Sequence, residues 1–167
     1  MTLQELNTLS DEQVKKEFFT CCGSSLWVEK MMAVKPFSNM NDLLVKADRA
    51  WNATVEKDWL EAFSHHPKIG DLKNLEKKFA STKALAGSEQ ASVQTASQKI
   101  LEQLAEGNTL YENKFGFIFI VCATGKSAEE MLTLLNRRIN NDRPAELKIA
   151  AVEQQKIIKL RLQKLIS

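Results

Sequence analysis

Two serines in this chain mark helix starts. Ser10 is followed three residues later by Gln13, and Ser127 by Glu130, each just ahead of apolar residues at helical spacing. Such a pair satisfies otherwise unpaired backbone N–H groups reciprocally, which commits the following residues to a helix. The first helix carries Val14, Phe18 and Phe19, and Gly23 is placed to end it. The second carries Met131, Leu134, Leu135 and Ile139.

Weaker signals divide the rest. A short helix from about Ser25 holds Leu26, Trp27 and Met31 and stops at Lys35-Pro36. Asn41 is the expected cap of a helix with Leu43, Leu44, Ala47, Ala50 and Trp51 on one face. Thr54 is the expected cap of the next, with Trp59, Leu60 and Phe63 inward, ending before Pro67. Asp71 is expected to cap a helix bearing Leu72, Leu75 and Phe79. Ser88 opens a longer one through Val93, Ile100 and Leu104, closing near Gly107-Asn108. Pro144 suits the first turn of a last helix that runs to about Leu165, with Leu147, Ala151, Ile158, Leu162 and Leu165 as its stripe.

One segment resists this scheme. Residues 115–123 (FGFIFIVCA) favour a strand by propensity, yet no other segment offers that strand a partner. It reads as a buried helix or an extended core segment. With six Gly and three Pro, the chain lacks the punctuation of a β-sandwich. The expectation is a single compact all-α domain, residues 1–167, of about seven or more helices. A chain of 167 residues can bury roughly two-thirds of its unfolded surface as one domain.

Several function classes fall away. A net charge of +2 argues against nucleic-acid or acidic-membrane partners. The N-terminus lacks a basic region followed by an apolar core, and no apolar run is long enough to span a bilayer. The C-terminal Leu165-Ile166-Ser167 is not a peroxisomal address. Cys21, Cys22 and Cys122 make no disulfide framework, and with only His65 and His66 as histidines no zinc spacing arises. A cytoplasmic location with reduced thiols is expected.

Few residues stand out chemically. His65-His66 precede Pro67, which should present His66 at a helix-to-loop corner. Histidine titrates near neutrality and is the commonest general acid or base, but residue chemistry by itself favours ordinary helix-end histidines. Glu89 and Gln90 follow Ser88 at a presumed helix start, where an acid is favoured by the helix dipole whether or not it binds a ligand. Arg161 borders the apolar stripe of the last helix, where it either snorkels to water or clamps a carboxylate. Arg137-Arg138 reads as a solvated helix end. Trp27, Trp51 and Trp59 read as core, and a non-enzymatic helical interaction module remains open on these grounds.

Four stretches in order change that balance: residues 66–71 (HPKIGD), Ser88-Glu89-Gln90, residues 111–119 (YENKFGFIF), and the final helix with Glu146, Lys156-Ile157 and Arg161-Leu162. Together they resemble the decarboxylases of 2-oxo-4-hydroxy-4-carboxy-5-ureidoimidazoline (OHCU), over nearly the whole chain. The resemblance implies an all-α homodimer with no metal and no organic cofactor, acting on a small ureidoimidazoline and releasing (S)-allantoin and carbon dioxide. It implies His66 and Glu89 as catalytic residues, and Pro67, Ser88, Gln90, Phe117, Ile120 and Arg161 as substrate ligands. Many members carry a serine three residues before the glutamate, where this chain has Ala86.

Overall fold

The computed structural model describes residues 1–66, 75–77 and 90–167, and the side chains of all of these except 90–97. Among the described residues every regular element is helical. They are α1 (Leu3–Thr8), α2 (Asp11–Cys21), α3 (Ser25–Ala33), α4 (Met40–Asn52), α5 (Glu56–Ser64), α6 (Gln90–Phe115), α7 (Ala128–Arg138) and α8 (Arg143–Leu165). Residues 75–77 form a further helical turn with Leu75 buried. The all-α expectation therefore holds. Among the described residues, no helix is long and apolar enough to cross a membrane. The expected Asp71 and Ser88 caps lie outside the described residues, as do Leu72, Phe79 and the Val93 side chain.

Packing groups the chain into two units, Met1–His66 with Leu147–Ser167, and Pro67–Glu146. In the first, both halves of the expected Ser10–Gln13 box are made at the start of α2. Thr2 and Glu5 form the same box at α1, a helix that the sequence reading passed over although it carries the same signature. Two caps differ from expectation. Asn39, not Asn41, caps α4: its backbone is extended and its side chain accepts from Asp42 N at 2.9 Å, which places Asn41 inside the first turn. Thr54 does not cap α5, because its hydroxyl donates to the Trp51 carbonyl and accepts from the Trp59 indole at 2.9 Å. Val55 begins that helix instead, its N–H bonded to Asp58 at 3.0 Å.

Two tryptophans show why this core is specific as well as apolar. A buried indole N–H is costly unless bonded. Trp27 donates to the Ala47 carbonyl at 3.1 Å and Trp51 to the Ala151 carbonyl at 3.0 Å, so each locks one helix onto another. Around them pack Phe18, Met31, Phe37, Leu43, Ile158 and Leu162.

In the second unit, α6 runs through Gly107-Asn108 and ends only at Phe115, beyond the expected stop. Gly107 serves a close approach: a Cβ there would lie 2.7 Å from Leu135 Cδ2 of α7. Gly116, at a φ of 80°, ends the helix. Residues 117–123 then run without regular structure, and Phe117, Phe119, Ile120, Val121 and Cys122 are buried. Of the two readings of this segment, the buried helix does not hold past Phe115, and residues 117–123 form a non-helical part of the core.

A buried segment outside helix and strand must satisfy its carbonyls otherwise. Arg138 donates to the Ile120 carbonyl at 2.7 Å, and Lys126 to that of Cys122 at 2.9 Å. Arg138 is thus not a solvated helix end. It is 5% exposed, paired with the buried Glu146 carboxylate, and stacked on the Phe119 ring with its centre 4.6 Å away. Tyr111 donates to the same carboxylate, and Asn141 to its other oxygen. Burial and that carboxylate push the Tyr111 hydroxyl pKa up.

Candidate active site

Helix α5 ends at Ser64, and His65 and His66 follow in a tight turn, bonded back to the Ala62 and Phe63 carbonyls. The helix is pinned by Glu61, whose carboxylate accepts from both the backbone N–H and the hydroxyl of Ser25 at the start of α3. The two imidazoles then part. His65 lies edge-on to Phe19, with ring centres 4.9 Å apart, and covers Gly23, where an added Cβ would come within 2.5 Å of the His65 Cβ. His65 is therefore a packing residue.

His66 faces α8. Its Nε2 bonds Gln154 Oε1, and its Nδ1 lies 3.5 Å from Arg161 Nη2. Gln154 and Arg161 are seven residues apart, two turns of one helix face. Arg161 is itself held: Nη1 donates at 3.3 Å to both the Thr20 and Cys21 carbonyls. These belong to the last turn of α2, which carries no basic residue of its own, and a cation from elsewhere in the chain satisfies them.

The electrostatics follow. Burial lowers the pKa of His66 below its ordinary value of 6.5, the Arg161 cation pushes the same way, and the bond to Gln154 opposes both. The shift favours the neutral imidazole, the form a proton acceptor needs. At the end of α2, burial raises the thiol of Cys21 to about 11 and that of Cys22 to about 12, so neither is a nucleophile at neutral pH.

Of the residues expected at the site, the structure brings His66 and Arg161 together. Phe117 and Ile120 are buried in the other unit. Gln90 begins α6, and its side chain lies outside the described set, as do Pro67, Ser88 and Glu89. The sequence reading missed Gln154. Its signal was a gap, since the stripe Leu147, Ala151, Ile158, Leu162 leaves one inward position between Ala151 and Ile158. Among the described residues, no group of three His, Cys, Asp or Glu side chains is placed to hold a metal.

The model of the OHCU decarboxylase family matches residues 7–163. The uric acid degradation bifunctional protein of Arabidopsis thaliana is 40% identical over 90% of this chain, and the match covers 47% of that protein. The chain thus spans about half the length of this relative. The 2-oxo-4-hydroxy-4-carboxy-5-ureidoimidazoline decarboxylase of Haloferax volcanii is 26% identical over 97% of this chain and 94% of its own. Among solved structures, an OHCU decarboxylase crystallised in the presence of (S)-allantoin superposes with a TM-score of 0.71 at 37% identity, covering 94% of this chain and 98% of that one. With the family model matched across residues 7–163 and a relative 40% identical over 90% of its length, this chain belongs to the OHCU decarboxylase family.

Proposed function

We propose that this chain decarboxylates OHCU to (S)-allantoin and carbon dioxide in urate degradation, as a carboxy-lyase needing no cofactor and formed as one catalytic domain. The observation that carries the reading is the imidazole of His66 held beside the guanidinium of Arg161, with burial lowering the imidazole's pKa. That pair combines a proton acceptor with a fork suited to a carboxylate or ring carbonyl.

The substrate supplies its own electron sink. When the bond to its carboxylate breaks, the electron pair enters the adjacent ring C=N, whose nitrogen gains a proton, and an enol results. That enol loses its hydroxyl proton and gains one at the ureido-bearing carbon, which restores a carbonyl. In this scheme His66 takes the hydroxyl proton and Arg161 stabilises the developing charge. Glu89 orients His66 or bonds the ring and ureido nitrogens, and Gln90 fixes the ureide. Pro67, Ser88, Phe117 and Ile120 are the remaining substrate ligands of this proposal. A homodimer in the cytoplasm completes the proposal, and the exposed Ile149 and Val152, three residues apart on α8, offer an apolar strip to a second copy.

The test is circular dichroism of the product. OHCU is generated in place from urate by a urate oxidase and the hydrolase that follows it, with and without this protein. The expected outcome is a lasting signal of one allantoin enantiomer that disappears with His66→Ala, a loss of about 10²–10⁴-fold for a general base, while His65→Ala keeps most activity. Racemic product at the unaided rate from folded protein would overturn the proposal, and equal losses in both variants would remove His66 from its role.

A further inference from the structure

We infer that Gln154 is a positioning residue for His66: it holds the imidazole as the Nε2–H tautomer and thereby keeps the Nδ1 lone pair on the side of Arg161. The inference rests on the assignment of His66 as the proton acceptor of the decarboxylation.

The hydrogen-bond logic leaves one arrangement. Arg161 Nη2 carries only hydrogens, so His66 Nδ1, 3.5 Å away, must meet it with a lone pair. The proton of a neutral ring then sits on Nε2 and requires an acceptor, and Gln154 Oε1 is in that place. Turning the amide round would present an N–H to Nε2 and force the ring proton against the guanidinium. A doubly protonated ring would do the same.

Packing supplies the second observation. Gln154 has no exposed surface, and its Nε2 is the one buried side-chain nitrogen or oxygen, among the described residues, without a hydrogen-bond partner. Its neighbours along the stripe, Ala151 and Ile158, are apolar and buried. An aliphatic residue would fill this position without leaving an amide nitrogen unsatisfied, so packing gives no reason for a glutamine. Its oxygen, bonded to the ring, gives one. Histidine ligands elsewhere are held the same way, by a partner on the nitrogen that does not act.

The experiment uses the whole chain with two variants. Gln154→Met keeps the volume and removes the acceptor. Gln154→Glu keeps an oxygen in the same place. Nitrogen-15 NMR of the imidazole at about pH 8, where histidine is neutral, reads the tautomer without substrate, and OHCU turnover reads kcat and KM separately. The wild type is expected to show the Nε2–H form. Gln154→Met should mix the two tautomers and lower kcat by about 10–100-fold, the range for losing a partner that orients a histidine, with KM little changed. Gln154→Glu should restore the tautomer and part of kcat. A wild-type tautomer in Gln154→Met, an unchanged kcat there, or no recovery of the tautomer in Gln154→Glu would each overturn the inference. Absence of turnover in the wild type would instead refute the decarboxylase proposal, and the tautomer measurement would still test the role of Gln154.

Discussion

Arg161 donates to the carbonyl of Cys21, a residue 140 positions earlier in the chain, at 3.3 Å. One guanidinium therefore closes the open end of α2 and stands beside His66. A lysine could do only part of this, because it offers a point charge where the site uses a planar fork. The site is thus built into the packing of its unit, and changes beneath it should register in both stability and chemistry.

Gly23 is the first place to test that coupling. An alanine there would put its Cβ 2.5 Å from the Cβ and 2.8 Å from the Cγ of His65. The neighbour cannot yield as the tip of a long side chain would. Gly23→Ala should cost about 1–3 kcal/mol, as overpacking does, and should reduce turnover by shifting the turn that carries His66. Urea denaturation and the dichroism assay read the two effects, and wild-type stability in this variant would contradict the packing role of His65.

Glu146 tests the second unit. Its carboxylate compensates the buried guanidinium of Arg138, so Glu146→Ala leaves that charge alone and should cost about 3–5 kcal/mol. Replacing both partners with Arg138→Met and Glu146→Leu together should cost less than Glu146→Ala, because no charge is then left unpaired. Chemical denaturation of the three proteins checks this ordering.

The lowered pKa of His66 predicts a pH dependence of stability. Just below the ordinary value of 6.5 the unfolded chain binds a proton that the folded one does not, so stability falls as pH drops through that point. His66→Gln should flatten this slope. Asp42, held at about 2 by bonds from the Ser38 backbone and Lys46, titrates far lower and does not confuse the comparison. Unfolding midpoints of the two proteins at about pH 7.5 and about pH 5.5 bracket the window. Equal slopes would contradict the burial of the His66 ring.

Cys21 and Cys22 should be inert in the folded protein. Raising a thiol from 9.0 to about 11 lowers the thiolate fraction about 100-fold, and both side chains are buried. Iodoacetamide at neutral pH should label them only in denaturant, with mass spectrometry as the readout.

The sequence by itself determined what depends on near neighbours. The boxes at Ser10 and Ser127 were legible because a cap and its partner lie three residues apart, and the stripes because helical spacing is a local property. His66 and Arg161 were singled out through ordered motifs, and the fold brings them together. Where two residues compete locally, as Asn39 and Asn41 do, only the backbone entering the helix chose between them. Gly107 was misread as a stop because its reason, Leu135, lies on another helix. Arg138 looked solvated and Gln154 drew no reading at all, for each is explained by a partner outside its own helix: the Ile120 carbonyl for one, and an imidazole 88 residues away for the other. A polar side chain on a helix face is equally compatible with water and with a buried bond, and tertiary structure decides by bringing, or not bringing, the group that replaces the water.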